Sequence, residues 1–501
     1  MTKITNKALP VDIESILSIG VDNWYKTFEW PISWKEFVKI EDSVKSILNR
    51  QIEKQKELAD IIKINYKIYI EFSNFIFALL LKDKIGNKAL YFKNNDYYKS
   101  IFEEGIPDTF VKFPDVDNKK KTIKHRLKKI KFFLEDNKFS IPLFWKPRVY
   151  IFNESRSVNA LKYAQNKYLG RIYSLSFFDL YKKEDVKPID SLLLKKIKDT
   201  SVNISIELCR YMESLGVSMS TLQKNYLSNH IDNIFTRSYA VLQVVKKNMG
   251  KRKVKLFLGG NINYYTRIMS VAVRAAGGEV HGFRHGEAVN YNCDLMSWLE
   301  LSLNDYFYEY TKENSKMLEE IAKHYPPLEN NKCKIRTMEN NLYEDSFKNI
   351  DIKQNDNIST VMLIGNRFRQ SSFSTVTAIF PTLQLYVELK IIEKLKLLGY
   401  KVIYKMHPEN LVNRKGYVKD ISVIQKLFPD DVEINKDKFE ISSEQADAFI
   451  FYYTSTSTFL SAFMSNKPIY FYDINLRDYP ESMMDILTKR CHYKRTKLNY
   501  I

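Results

Sequence analysis

Apolar residues recur at helical intervals through SVKSILNRQIEKQKELADIIKINYKIYIEFSNFIFALLLKD, residues 43–83, with no glycine or proline to break the run. The pattern predicts a helical and otherwise irregular region over residues 1–145, expected to belong with the first of the chain's two halves. It changes at RVYIFNESRSVNALKYAQNKY, where a short apolar run, a polar Asn-Glu-Ser turn and a helical period predict a first βα unit. A helical stretch over about 190–249 leads into KVKLFLGGNINYYTRIMSVAVRAAGGEVHGFRHGEAV. Here a strand ends at Gly259-Gly260, a helix covers Tyr264 to Ala276, and a second strand ends at Arg-His-Gly-Glu. Parallel strands need such a crossover. One more strand and helix follow in LNDYFYEYTKENSKMLEEIAKHY.

The Asn-, Asp-, Glu- and Lys-rich segment 337–357 has little apolar pattern and reads as a linker. Beyond it, STVMLIGN predicts a strand, LQLYVELKIIEKLKLLG a helix, and KVIYKMHPEN a strand that stops at a His-Pro-Glu. ADAFIFYYTSTSTFLSAFMSNKPIYFYDI then predicts a strand, a hydroxyl-rich turn, a short helix and another strand. The expected architecture is α/β, with Rossmann-like domains at 146–336 and 358–475 facing a cleft and a tail, helical if ordered, at 476–501.

Composition narrows the class. A chain of 501 residues that is 45% hydrophobic can fill two or three cores. Its four cysteines form no CxxC pair, which argues against a zinc site or a disulfide framework and fits a reducing compartment. The N-terminus lacks the layout of a signal peptide, and no apolar run approaches the roughly 18 residues of a transmembrane helix. The expectation is a cytoplasmic protein. A formal charge of +19 is partly lysine-rich composition, but eight Lys or Arg fall between Lys119 and Lys131 while Ile123, Leu127, Ile130 and Leu134 recur at helical spacing. Such a helix suits the anionic inner face of a cytoplasmic membrane, or a polyanionic substrate. No nucleic-acid-binding motif accompanies it, and nucleic acid is not an expected partner.

Candidate chemistry gathers at the tips of the second domain's strands. GNRFRQSS offers Gly365, Asn366, Arg367 and Arg369; the next tip offers His407, Pro408 and Glu409; the third offers the hydroxyls of Thr454, Ser455, Thr456 and Ser457 before a helix. The residue before a proline is held extended, so His407 belongs at a strand end. Together these groups suit a phosphate. In the first domain the tips offer Asn153 and Glu154, with Ser155 as a helix cap or a contact, then Arg284, His285 and Glu287. His281 reads as structural, and Asp473 as closing its strand or binding a ribose. No DxD motif points to a metal.

A strand ending in His-Pro followed by a Ser/Thr-rich turn resembles the HP and SS/ST motifs of bacterial sialyltransferases and polysialyltransferases, and of capsule and lipopolysaccharide Kdo transferases. YYTSTSTFLSAFMSNKPIYFYD is similar to a region of teichoic acid polymerases. The likeness covers about residues 250–475 and implies the GT-B fold, a cytidine-activated donor and no metal or other cofactor. It implies that His407 and the hydroxyls hold the phosphate, with Gly365, Asn366, Arg367, Arg369, Pro408 and Glu409 around the nucleotide sugar. Asn153, Glu154 and Arg284 would face a lipid-linked or surface-glycan acceptor, and His285 or Glu287 would act as the base. Sialyltransferases carry an acidic (D/E)(D/E)G motif. Glu103-Glu104-Gly105 matches it but falls in the helical region, far from the expected site. The leading expectation is transfer of an ulosonic or nonulosonic acid from a CMP-sugar. The alternatives are a CDP-glycerol-type polyol phosphotransferase and a non-catalytic basic protein that binds glycan or membrane.

Overall fold

The computed structural model describes residues 9–86, 89–90, 99–106, 131–138, 148–155, 157–251, 253–261, 263–284, 296–338, 357–366, 368, 381–408, 421–454, 456–475, 479 and 481–495. The chain begins with a two-residue strand, β1 (Leu9–Pro10), which pairs in parallel with β2 (Ala89–Leu90). Between them lie α1 (Ile13–Ile19), α2 (Val21–Thr27), α3 (Trp34–Lys54), α4 (Ala59–Ile64) and α5 (Ile68–Ile85). Side chains set where these helices start. Asp12 accepts from the Ser15 amide at 2.9 Å, and Ser33 and Glu36 close a reciprocal cap ahead of α3. Helix α5 is apolar on nearly every face, from Phe72 through Leu81, and is buried accordingly.

The first sheet is built from β3 (Val149–Phe152), β4 (Ile172–Leu175), β5 (Lys255–Leu258), β6 (Glu279–Phe283), β7 (Tyr306–Glu309) and β8 (Lys334–Thr337). Its order is β4-β3-β5-β6-β7-β8, and every pairing is parallel. Helix α6 (Val158–Tyr168) crosses from β3 to β4, and α7 (Phe177–Leu180) follows β4. The long helices α8 (Ser191–Ser214) and α9 (Thr221–Met249) precede β5, α10 (Tyr264–Ala275) leads to β6, and α11 (Lys312–His324) leads to β8. Helix α8 packs on α3 and α9, and α9 packs on α4 and α10, so the N-terminal helices cover this half of the molecule.

The second sheet contains β9 (Thr360–Ile364), β10 (Lys401–Lys405), β11 (Val432–Asn435), β12 (Ala448–Phe451), β13 (Ile469–Asp473) and β14 (His492–Arg495). Its order is β11-β10-β9-β12-β13-β14, again all parallel. Helices α12 (Pro381–Leu397), α13 (Ile421–Leu427), α14 (Phe439–Ser442), α15 (Ser457–Phe463) and α16 (Glu481–Arg490) connect the strands. Burial on both faces explains why β9, β10 and β12 are almost continuously apolar.

Two features differ from the sequence reading. Residues 476–501, expected as a tail, contain α16 and β14, and β14 completes the second sheet by pairing Tyr470 with His492. HYKR lacks a strand pattern because β14 is an edge, where polar side chains are tolerated and deter further pairing. The N-terminal region was assigned wholly to the first half. Instead α1 and α2 pack against the second half, where Phe28 lies 4.7 Å and Trp24 6.0 Å from the Tyr386 ring on α12. One apolar core runs from these helices through both sheets.

Candidate functional site

In the second sheet β9 sits centrally, with β10 on one side and β12 on the other. The chain reverses its direction of travel between β9 and β12, which opens a crevice at the carboxyl ends of the strands. A cavity of about 390 Å³ occupies that crevice. Ile364 and Gly365 end β9, Lys405 to Pro408 end β10, Lys438 to Glu440 begin α14, and Tyr453, Thr456 and Thr458 come from the β12–α15 turn. Lys405, Lys438 and His407 face one carboxylate, Glu440, so the lining favours an anion.

A buried carboxylate behind the cavity fixes its shape. Glu388 on α12 is fully buried and accepts from the Asn366 amide at 3.0 Å, from the Tyr404 hydroxyl at 2.6 Å and from the Tyr452 hydroxyl. Burial and the Glu388 charge push the Tyr452 phenol well above its ordinary pKa, so it stays a donor. The Tyr453 hydroxyl donates to the Gly365 carbonyl at 3.0 Å. These bonds join the tips of β9, β10 and β12 through one helix residue.

His407 is half-buried on the cavity wall, followed by exposed Pro408. Thr454 is buried, and its carbonyl accepts from the Thr456 amide at 2.8 Å. Thr456 caps α15 through the Thr458 amide at 3.4 Å. Since α15 has only seven residues, its dipole adds little to anion binding, and the hydroxyls carry the turn's chemistry. At the other end of α15, Arg490 donates to the carbonyls of Ala462, Phe463, Ser465 and Lys467, which pins the helix. Gly365 and Asn366 stand where the sequence placed them, at the β9 tip. Arg367, Arg369, Glu409 and Ser455 lie outside the described residues, as does the side chain of Ser457.

At the first sheet's tips, Asn153 accepts from the Ser174 hydroxyl at 2.5 Å, and Glu154 accepts from Ser176 and from the Phe177 amide at 3.2 Å. Glu154 thus holds the start of α7, and burial raises its pKa. The Gly259 amide donates to the Ser155 carbonyl at 2.8 Å, joining the β3 and β5 tips. Arg284 is buried and forked onto the buried carboxylate of Glu309, with Nε to Oε2 at 2.9 Å. Its guanidinium is therefore structural in this state and is not offered to an acceptor. His285, Glu287 and the basic segment up to Ile130 lie outside the described residues.

His281 is buried, stacked on Tyr306 at 4.7 Å, and bonded to Tyr308 and Glu279. Asp473 accepts from Arg495 at 2.8 Å and from Tyr493, so it locks β13 to β14. Glu103 and Glu104 are exposed on a single turn, and the Gly105 carbonyl accepts from Gln223 of α9 at 2.9 Å. That turn belongs to the helical layer rather than to the strand tips.

Sequence reasoning missed Lys405, Lys438, Glu440 and Glu388 in the second domain and Glu300 in the first. Glu300 accepts from the Asn261 amide at 2.7 Å; burial raises its pKa against the opposing pull of Arg284 and Arg267. For Lys405 a signal was present, because it continues the buried run of Val402 to Tyr404. The other four sit in helical or loop positions that periodicity does not distinguish. Among the described residues no group of three or more His, Cys, Asp or Glu is placed to hold a metal ion, and no helix is long and apolar enough to cross a membrane. No protein-family model matches the chain, and no curated protein matches it.

Proposed function

We propose that the protein is a GT-B glycosyltransferase that moves an ulosonic or nonulosonic acid from a CMP-activated donor to a surface-glycan acceptor. The observation that carries this reading is the cation- and hydroxyl-lined cavity at the second sheet's reversal point, which brings together His407, Thr456 and the Gly365 tip. Its volume of about 390 Å³ falls within the range usual for small-molecule sites. In the reaction the acceptor hydroxyl oxygen bonds to the sugar's anomeric carbon. The bond from that carbon to the phosphate oxygen breaks, its electron pair stays on CMP, and the hydroxyl proton passes to His285 or Glu287. His407 donates to the phosphate as charge builds on it, and the threonine hydroxyls hold it in place. The first domain presents the acceptor, and the Lys119–Lys131 segment holds the enzyme against an anionic membrane where a lipid-linked glycan is available.

A thermal-shift series with CMP, CDP-glycerol and UMP tests the donor class. Selective stabilisation by CMP supports the reading, and selective stabilisation by CDP-glycerol replaces it with polyol phosphate transfer. Stabilisation by none of them leaves a basic binding protein. Incubation with several CMP-sugars and a glycan acceptor, read by product mass, then identifies the sugar.

A further inference from the structure

Lys405 is the last residue of β10 and is only 4% exposed. Strand alternation puts it on the face of Ile403, which packs into the apolar cluster of Phe439, Phe449, Phe451 and Phe459. A position of that kind calls for an apolar residue. Instead its ammonium reaches the cavity wall and donates to the Met406 carbonyl at 3.1 Å. Asp437 and Glu440 are near enough to favour the charged form, but among the described residues Lys405 forms an ion pair with neither. Burial outweighs them and lowers its pKa. A lysine ammonium has three N–H donors, and taking it out of water for one carbonyl is unfavourable unless an anion completes its shell. Lys438 and Glu440 are exposed at the same cavity, where solvent screens them. Among the described residues the desolvated cation of this cavity is therefore Lys405.

We propose that Lys405 is the buried phosphate-binding cation of the cavity, so that the site takes a nucleotide through its phosphate and discriminates against the free nucleoside. This rests on the reading of the cavity as the nucleotide-donor site.

Calorimetric titration of the full chain with CMP, UMP and cytidine, on the wild type, Lys405→Met and Lys426→Met, tests it. Methionine keeps the length and apolar bulk of the lysine stem, and replacing a buried charge with an apolar group is neutral or stabilising. Lys405→Met is therefore expected to keep or raise the apo Tm while the preference for CMP over cytidine falls by at least about tenfold. Lys426→Met, an exposed charge that does not line the cavity, is expected to change CMP affinity by less than about threefold, as a screened charge does. A structural lysine would behave oppositely: a lowered apo Tm in Lys405→Met overturns the assignment, and so does unchanged CMP affinity. If wild type binds UMP as well as CMP and both depend on Lys405, the assignment stands and the CMP-sugar reading fails. If CMP binds selectively but independently of Lys405, the reverse holds. Binding of no nucleotide overturns both.

Discussion

The Tyr404 hydroxyl crowds Gly365 so closely that a Cβ at residue 365 would stand 2.4 Å from its oxygen and 2.5 Å from Cζ. Tyr404 cannot easily retreat, because its hydroxyl is bonded to buried Glu388 at 2.6 Å. Gly365→Ala must therefore displace the β9 tip that lines the cavity. We expect a loss of about 1–3 kcal/mol in stability, typical of overpacking, with weaker CMP binding. Tyr404→Phe should not rescue it, since the ring carbon remains too close. Chemical denaturation of the single and double variants measures both effects, and a rescued double variant would show that the hydroxyl alone sets the contact.

Glu388 gathers three donors, so the identity of its replacement matters more than the loss of charge. Alanine leaves the Asn366 amide and two phenols without their acceptor, and a cost of about 3 kcal/mol or more is expected. Glutamine keeps one carbonyl oxygen for Asn366 and Tyr452, while its amide can donate to the Tyr404 hydroxyl, which is able to accept. Glu388→Gln should therefore retain nucleotide binding and most of the stability. Equal damage from both variants in thermal melts would mean that the negative charge itself is required.

The proposed catalytic roles separate by half of the molecule. His407→Ala should lower transfer by about 2–4 kcal/mol of transition-state stabilisation while the fold persists. Loss of the acceptor-side base, tested by His285→Ala and Glu287→Ala, should reduce turnover by about 10²–10⁴-fold with CMP affinity almost unchanged. Glu104→Ala is the control, since Glu104 is exposed on the helical layer. Collapse of turnover in that variant alone would move the base to the acidic motif.

Membrane association gives a separate expectation. Replacing Lys119, Lys120, Lys121, Lys128 and Lys129 with Gln should release the protein from anionic vesicles, at about 1 kcal/mol per cation, yet spare transfer to a short soluble acceptor. Vesicle sedimentation that is indifferent to the five changes would assign the chain's basicity to composition.

The strands legible in the sequence are those buried on both faces. VYIF, KLFL, EVHGF, YFYE, TVMLI, KVIYK, AFIF and IYFYD all lie inside their sheets, where lack of solvent demands apolar runs. In the two six-stranded sheets the strands missed, IYSL, KIRT, VEIN and HYKR, are the four edges. An edge is half solvated and must also resist further pairing, so its pattern approaches that of a loop. The site divides in a similar way. His407 and Thr456 announce themselves through a following proline and a capping position, whereas Lys405 and Glu388 matter only because distant elements close over them.

His281 gives the acid limb of stability a definite sign. Its ordinary pKa of 6.5 is pushed down to about 4, chiefly by burial between the Tyr306 ring and the sheet. The acceptor-only carboxylate of Glu279 accepts a hydrogen bond from Nε2–H at 3.2 Å, which leaves Nδ1 to accept from Tyr308 at 3.2 Å, so the neutral ring is the one that fits. The unfolded chain binds a proton below pH 6.5 and the native histidine does not until about pH 4. Stability must then fall as pH drops through that window and level off below it. His230, half-buried and pushed down to about 4 by desolvation, adds a loss of the same sign. Glu154 and Glu300 act the other way: their raised pKa values favour the native state at low pH, so the total slope does not report either histidine alone. The difference between wild type and His281→Phe isolates one of them. Phenylalanine keeps the stack on Tyr306, and the Tyr308 hydroxyl keeps Tyr163 at 3.2 Å. The variant should be less stable than wild type at pH 7 and should recover about 2 kcal/mol relative to it by pH 5. Urea midpoints at both pH values measure the recovery, and parallel pH profiles would show that His281 takes up its proton as readily in the native protein as in the unfolded chain.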